Sequence, residues 1–165
     1  IYTGEDTLSL HDALPILVAD ATILIGNHRD ISLLLGQTFS GDGADRRREA
    51  AEAAFAAFPK LQLIASTARH LVTSDHHRIA ARVDSRSEAH QSDEIDVTGI
   101  VERIGTGDAF AAGVLHAWLQ NGDARAMAEA GLALTALKHS VPGDMCLVNR
   151  AALDGFSAGG GDVRR

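Results

Sequence analysis

Two short apolar runs and the pattern between them constrain this chain most. ATILIGN, from Ala21 to Asn27, and LQLIAST, from Leu61 to Thr67, are apolar runs, the first strongly β-branched, and each ends in small polar residues. Buried strands that empty into turns have this composition. Between the runs lie HRDISLLLG and GDGADRRREAAEAAFAAFPK. The first has Asp30 where a cap belongs, Ile31, Leu34 and Leu35 on one side, and Gly36 as its stop. The second is rich in Ala, Glu and Arg, enters through a glycine turn and closes at Pro59. Strand, helices, strand is the order of a right-handed parallel crossover. Ligands of such sheets sit beyond the carboxyl ends of the strands, which puts Asn27 and Thr67 at the edge of a candidate site.

Further along, HHRIAARVDS alternates and reads as a hairpin or edge strand at the periphery, while EAHQSDEIDVTG reads as loop or partial strand. IVERIGTGDAFAAGVLHAWLQNG then passes through a glycine turn into a helix with Ala111, Val114, Leu115 and Trp118 on one face. DARAMAEAGLALTALKHS predicts another helix, capped at Asp123 and closed by VPG. The glycine-rich, charged end SAGGGDVRR predicts a flexible tail over 157–165.

With 165 residues, 45% of them hydrophobic, the chain is sized for one domain. A formal charge of -7 supplies no global attraction to nucleic acid or anionic lipid, and neither partner is expected. The single cysteine, Cys146, cannot close an intrachain disulfide, and no apolar run approaches spanning length, so the cytoplasm is the expected compartment. His28, His70, His76 and His77 fit no zinc spacing, and Arg46, Arg47 and Arg48 read as a solvated helix face.

The chemistry concentrates in IGTGDAF. Gly105, Thr106 and Gly107 precede an amphipathic helix, so backbone N–H groups can converge on an anion with no side chain in the way. Asp108 would repel a phosphate held there, unless it is a base that takes a proton from an attacking hydroxyl while the amides hold the transferred group. From G-x-G-D alone, a glycine turn with an aspartate at the helix start stands beside that reading.

VERIGTGDAFAAG resembles the second signature of the ribokinase-like (PfkB) carbohydrate kinases, D-x-x-G-A-G-D-x-F-x-x-G. Gly105, Gly107, Asp108, Phe110 and Gly113 stand as that pattern asks; Glu102 replaces its first acidic residue and Thr106 its alanine. The resemblance implies Asp108 as catalytic base and the Gly105–Thr106–Gly107 amides as anion hole. ILIGNHRD resembles the family's strand followed by N-x-x-E, which implies an indirect magnesium-organising role for Asn27 and Asp30; the capping role of Asp30 stands beside it. LIASTARH resembles the strand that reaches the nucleotide, implying Ser66, Thr67 and Arg69 as nucleotide-binding residues. RIGTGDAFAAGVLHAWL, LKHSVPGD and GNHRD are most similar to bacterial 2-keto-3-deoxygluconate kinases, with Arg103 and Asp144 on the substrate side. Related sequences carry asparagine where this chain has Cys146.

What this implies is an α/β fold: the C-terminal part of a three-layer α/β/α ribokinase-like domain with a mainly parallel sheet, over 17–156, without the N-terminal half and its lid. The implied reaction moves the γ-phosphoryl of ATP, with Mg²⁺, onto the 6-hydroxyl of 2-dehydro-3-deoxy-D-gluconate, a small sugar acid. Another PfkB sugar kinase, of fructokinase or ribokinase type, and a noncatalytic nucleotide-binding remnant are the alternatives. Full-length members of the family are often homodimers. The opening IYTGEDTLSLHDALPI resembles translated sequencing adapter, so residues 1–16 are expected to be non-native and to stand outside the fold.

Overall fold

The computed structural model describes residues 10–158. In chain order the elements are α1 (Leu10–Ala19), β1 (Ile23–Ile25), α2 (His28–Leu35), α3 (Ala44–Ala57), β2 (Leu63–Leu71), β3 (His76–Ser85), β4 (Ala89–Gln91), β5 (Ile95–Thr98), α4 (Thr106–Leu119), α5 (Ala124–Lys138) and α6 (Arg150–Ala158). The sheet runs β1-β2-β3-β4, with β5 also paired to β3. The chain divides within β2 into two compact units, 1–64 and 65–165.

In the first unit the predicted strand and helices form, but α2 starts earlier than expected: Asn27 is its N-cap, and Asp30, read as the cap, is its third residue and closes back on Asn27 N–H. β1 ends before Gly26, α2 stops at Gly36 in the left-handed conformation, and α3 ends at Phe58. Val18, Ile31, Leu34, Ala50, Ala51, Ala54, Phe55, Phe58, Leu61 and Ile64 make one apolar cluster. The charged side of α3 faces solvent, with Arg46 on Glu49 and Arg48 on Glu52 one helical turn apart. Helix α1 crosses residue 16, and Leu14 is partly buried against the cluster, so a helix occupies part of the stretch expected to precede the fold. Residues 1–9 lie outside the described residues, as do 159–165 of the predicted tail.

In the second unit the sheet departs from expectation. HHRIAARVDS is not a peripheral strand. As β3 it pairs with β2, β4 and β5, and most of its residues are buried. The physical reason is its content: Ile79, Ala80, Ala81 and Val83 are buried, and its Arg82 and Asp84 neutralise each other there in a two-point ion pair at 2.7 and 2.8 Å. The polar stretch read as loop or partial strand supplies β4 and β5, both antiparallel to β3. Between them the register slips: Ala80 and Ala81 face Ser92, Asp93 and Glu94, three residues against two, and Ser92 fills the slip by bonding Ala81 through both its N–H and its hydroxyl at 2.9 Å. The connection from Leu71 to His76 is too short to join parallel neighbours, so β2 and β3 form a hairpin. The sheet is therefore mixed, and its antiparallel part comes from 63–98.

Helices α4 and α5 pack on each other, α5 lies against β3 and β4, and α6 packs on α5. The buried face of α4 is Ala109, Phe110, Gly113, Val114 and Ala117; of the predicted apolar face, Leu115 is exposed and Trp118 half-buried. Two glycines set how close the helices come. A β-carbon on Gly113 would collide with the Ala130 carbonyl and lie 2.7 Å from the Gly131 Cα, and one on Gly131 would lie 2.7 Å from the Phe110 ring. Ala109, Ala133, Leu134 and Leu153 form a further cluster, with Cys146, Val148 and Phe156 against it.

Because backbone meets Gly113, an added methyl cannot be absorbed by a rotamer change. Gly113→Ala is expected to lower stability by about 1–3 kcal/mol, the usual range for overpacking. Gly155 in α6 has open space around it, and Gly155→Ala is expected to raise stability by up to about 1 kcal/mol through helix propensity. Urea denaturation of the two variants checks both signs.

Candidate functional site

The segment entering α4 is held at each step. The carbonyl of His139, the C-cap of α5, accepts the N–H groups of Val101 at 2.9 Å and Glu102 at 3.2 Å. The Glu102 carboxylate then turns forward and accepts from Ile104 N–H at 3.0 Å and Arg103 N–H at 2.7 Å. These two bonds favour the charged form and hold its carboxyl below the usual glutamate value. The Thr106 hydroxyl donates to the Arg103 carbonyl at 2.9 Å. At Gly105 the chain takes φ of +77°, and a β-carbon there would collide with the carbonyl of Asp144. Glycine is required twice over at that position, by conformation and by contact.

The helix that follows shares an uncapped glycine start with α3, which begins at Gly43, and differs from α2 and α5. Asn27 and Asp30 cap α2 reciprocally, the Asn27 side-chain oxygen accepting Arg29 N–H at 2.8 Å and the Asp30 carboxylate accepting Asn27 N–H at 2.7 Å. Asp123 caps α5 through Ala126 N–H at 2.8 Å. No side chain caps α4 at Gly105. Its first amides have no intrahelical acceptor and stand at the positive end of the helix dipole. A β-carbon on Gly107 would meet nothing within 4 Å, and Asp108 is an exposed carboxylate in the same turn. Amides at a glycine-lined helix start suit an anion, and a carboxylate beside them suits proton transfer.

Of the residues singled out by sequence, Arg103, Gly105, Thr106, Gly107, Asp108 and Asp144 gather at the start of α4. Asp144 arrives through its main chain, in a turn that sequence reading left unexplained. Lys138 is fully buried, and its ammonium donates to the carbonyls of Val141 at 3.0 Å and Gly143 at 2.7 Å. That lysine fixes the Pro142-Gly143-Asp144 turn against Gly105. Its signal was present in LALTALKHS, where a lysine and a histidine close an otherwise apolar helix.

Ser66, Thr67 and Arg69 are placed differently from expectation. The strand does not end at the small polar residues; β2 continues to Leu71, because TARHL pairs onward into the hairpin with β3. Side chains alternate along a strand, so Thr67 and Arg69, both exposed, share a face opposite Ser66. The charge of Arg69, like that of Arg103, is felt by the buried His77 and His139. Asn27 and Asp30 belong to the first unit, where each uses one side-chain oxygen in the cap. Among the described residues, no group of three or more His, Cys, Asp or Glu side chains is placed to hold a metal ion, and no helix is long and apolar enough to cross a membrane.

The pattern that defines the pfkB family carbohydrate kinases matches residues 4–148. Among solved structures, a 2-dehydro-3-deoxygluconokinase from Thermotoga maritima is 25% identical with a TM-score of 0.80, over 90% of this chain and 45% of that one. A PfkB family carbohydrate kinase from Listeria grayi is 24% identical with a TM-score of 0.78, over 95% of this chain and 48% of that one. A proposed ribokinase II from Escherichia coli, in complex with ATP and Mg²⁺, is 17% identical with a TM-score of 0.64, over 88% and 42%. The chain thus spans about half the length of the structures it matches. A search of curated proteins finds no match.

Replacing Lys138 by methionine keeps the stem and removes the two bonds that hold the Val141–Asp144 turn. Lys138→Met is expected to lower stability by about 2 kcal/mol, the scale of a hydrogen bond made by a charged group. Chemical denaturation reads the loss, and faster amide exchange over 143–146 locates it.

Proposed function

The chain belongs to the pfkB family of carbohydrate kinases, and from that premise we propose that it carries the phosphoryl-transfer half of a 2-dehydro-3-deoxy-D-gluconate kinase. One observation carries this reading: α4 begins without a side-chain cap, at Gly105-Thr106-Gly107, with the Asp108 carboxylate exposed in its first turn.

In the proposed reaction Asp108 accepts the proton of the sugar acid's 6-hydroxyl as that oxygen bonds to the γ-phosphorus of ATP. The bond from the γ-phosphorus to the bridging oxygen breaks, and ADP leaves. The amides at the start of α4 hold the charge on the transferred group, and the αL turn at Gly105, locked by Asp144, keeps them aimed. Thr67 and Arg69 on the exposed face of β2 take the nucleotide side, with Ser66 adjacent on the strand; Arg103 and Asp144 take the sugar-acid side. When bound, Mg²⁺ neutralises the phosphate charge. Asn27 and Asp30 would organise it indirectly, through water, with the one carboxylate oxygen of Asp30 that their cap leaves over.

The substrate rests on RIGTGDAF and LKHSVPGD, and on the name of the Thermotoga maritima protein. Fructokinase and ribokinase types are the nearest alternatives within the family. A second reading is a noncatalytic nucleotide-binding remnant, which would use the amides at Gly105–Gly107 and leave the Asp108 carboxylate without a role.

Calorimetry with Mg·ATP, followed by coupled phosphorylation assays on 2-dehydro-3-deoxy-D-gluconate, fructose and ribose, separates these readings. Nucleotide binding with turnover on the sugar acid supports the kinase, and binding without turnover on any sugar supports the remnant. The absence of both signals would sink the two together. Asp108→Asn is expected to lower turnover by about 10²–10⁴, the range for a lost general base, with Mg·ATP affinity unchanged.

A further inference from the structure

Two histidines remain outside the phosphoryl-transfer reading. His77 lies in β3 and is 0% exposed, and His139 caps α5 and is 2% exposed. Their ring centroids are 5.9 Å apart with the planes at 90°. His139 Nδ1 lies 2.7 Å from the Thr135 carbonyl, so that nitrogen carries the proton and donates. His139 Nε2 and both ring nitrogens of His77 are buried with no hydrogen-bond partner. Native interiors rarely leave three polar atoms in one contact unpaired, and such a site asks for a reason.

The reason lies in what His139 holds. Its carbonyl accepts from Val101 and Glu102, the first fixed residues of the segment that leads to Gly105. Its ring partner, Thr135, sends its hydroxyl to the Gly131 carbonyl at 2.9 Å and to the Thr106 carbonyl at 3.4 Å. His77 therefore packs, from β3, against the residue whose carbonyl holds the loop at Val101 and Glu102.

The surroundings of the pair disfavour a positive charge. Burial is the first cause, and the cations follow: Arg69 from β2, Arg103 from the loop and Lys138 from α5 act on both rings or on His139, and His76 from β3 acts on His77. From β5 comes Asp96, engaged with His76 at 2.6 Å, while the residue opposite His77 in the ladder is the apolar Val97. Both imidazoles are held below the usual histidine value of 6.5.

We propose that the His77–His139 contact is a positioning latch for the Val101–Gly105 segment, closed while both rings are neutral and opened by a proton on either. Closed, it keeps the first amides of α4 aimed; the consequence for phosphoryl transfer rests on the kinase reading above. Neutral rings persist above the ordinary histidine value. As pH falls below it, the opened state gains a proton that the closed state refuses, so the closed state loses ground.

Amide hydrogen exchange of Val101 and Glu102, corrected for intrinsic rates, measures the latch without any nucleotide. From pH 7.5 to 5.0 the opening constant of the wild-type chain is expected to rise, below roughly 6.5, by up to about a hundredfold per pH unit, a factor of about ten for each ring that takes a proton. Amides of Met127 and Ala128 in α5 serve as the reference and should stay flat. His77→Phe keeps a ring in place and leaves His139 as the one ring of the latch that takes a proton; its rise should fall to at most about tenfold per unit. Flat exchange at Val101 and Glu102 in the wild-type chain would overturn the latch, even if the variant fails to fold. Equal pH dependence in the wild type and His77→Phe would overturn the role of His77. A chain that shows the pH-dependent opening yet binds no Mg·ATP would sink the kinase reading and leave the latch.

Discussion

The close approach of α4 to α5 governs the second unit. Gly113 and Gly131 let backbone touch backbone and ring, and Phe110 fills the space that a β-carbon at Gly131 would take. With that spacing fixed, the C-terminal end of α5 stands beside the entry of α4. The carbonyl of His139 can then reach two amides of the loop, and Lys138 can hold the turn that leans on Gly105. Wider spacing would part the Asp144 carbonyl from Gly105, while the bonds of Lys138, local to the end of α5, would remain. The family pattern asks for glycine at position 113, and here its reason is packing, several residues from the chemistry it supports.

Local signals were legible wherever they were short-range. Asp123, Gly36 and Gly105 act where the sequence placed them, and Asp30 caps from the third helical residue with Asn27 in the N-cap place, because caps and left-handed turns are decided by a few adjacent atoms. IGTGDAF announced the helix start and its uncapped amides. Non-local features were not legible. The central place of β3 depends on three partners and on an ion pair that hides Arg82 and Asp84, which the alternation of HHRIAARVDS could not show. Thr67 sits mid-strand because the hairpin carries β2 past it, a fact of pairing rather than composition. Lys138 and His139 looked like an ordinary basic helix end; only the folded turn reveals what they hold.

The site shows how little chemistry a chain must spell out. Asp108 and two glycines are visible to the eye, yet their aim depends on main-chain contacts from Asp144 and His139. Substitution at those two positions can be tolerated at the backbone and still matter for the side chain, which separates what the loop needs from what the reaction needs.

The slip between β4 and β5 has a consequence for how this chain meets its neighbours. Two short strands, offset by a bulge at Ser92, lie along β3 in place of one long straight strand. The outer edge they leave is brief, kinked and lined by Asp93, Glu94 and Asp96, which makes it a poor template for another strand to join. A break that looks like a fault in the ladder thereby denies this edge the long straight row of free N–H and C=O groups that strand addition needs.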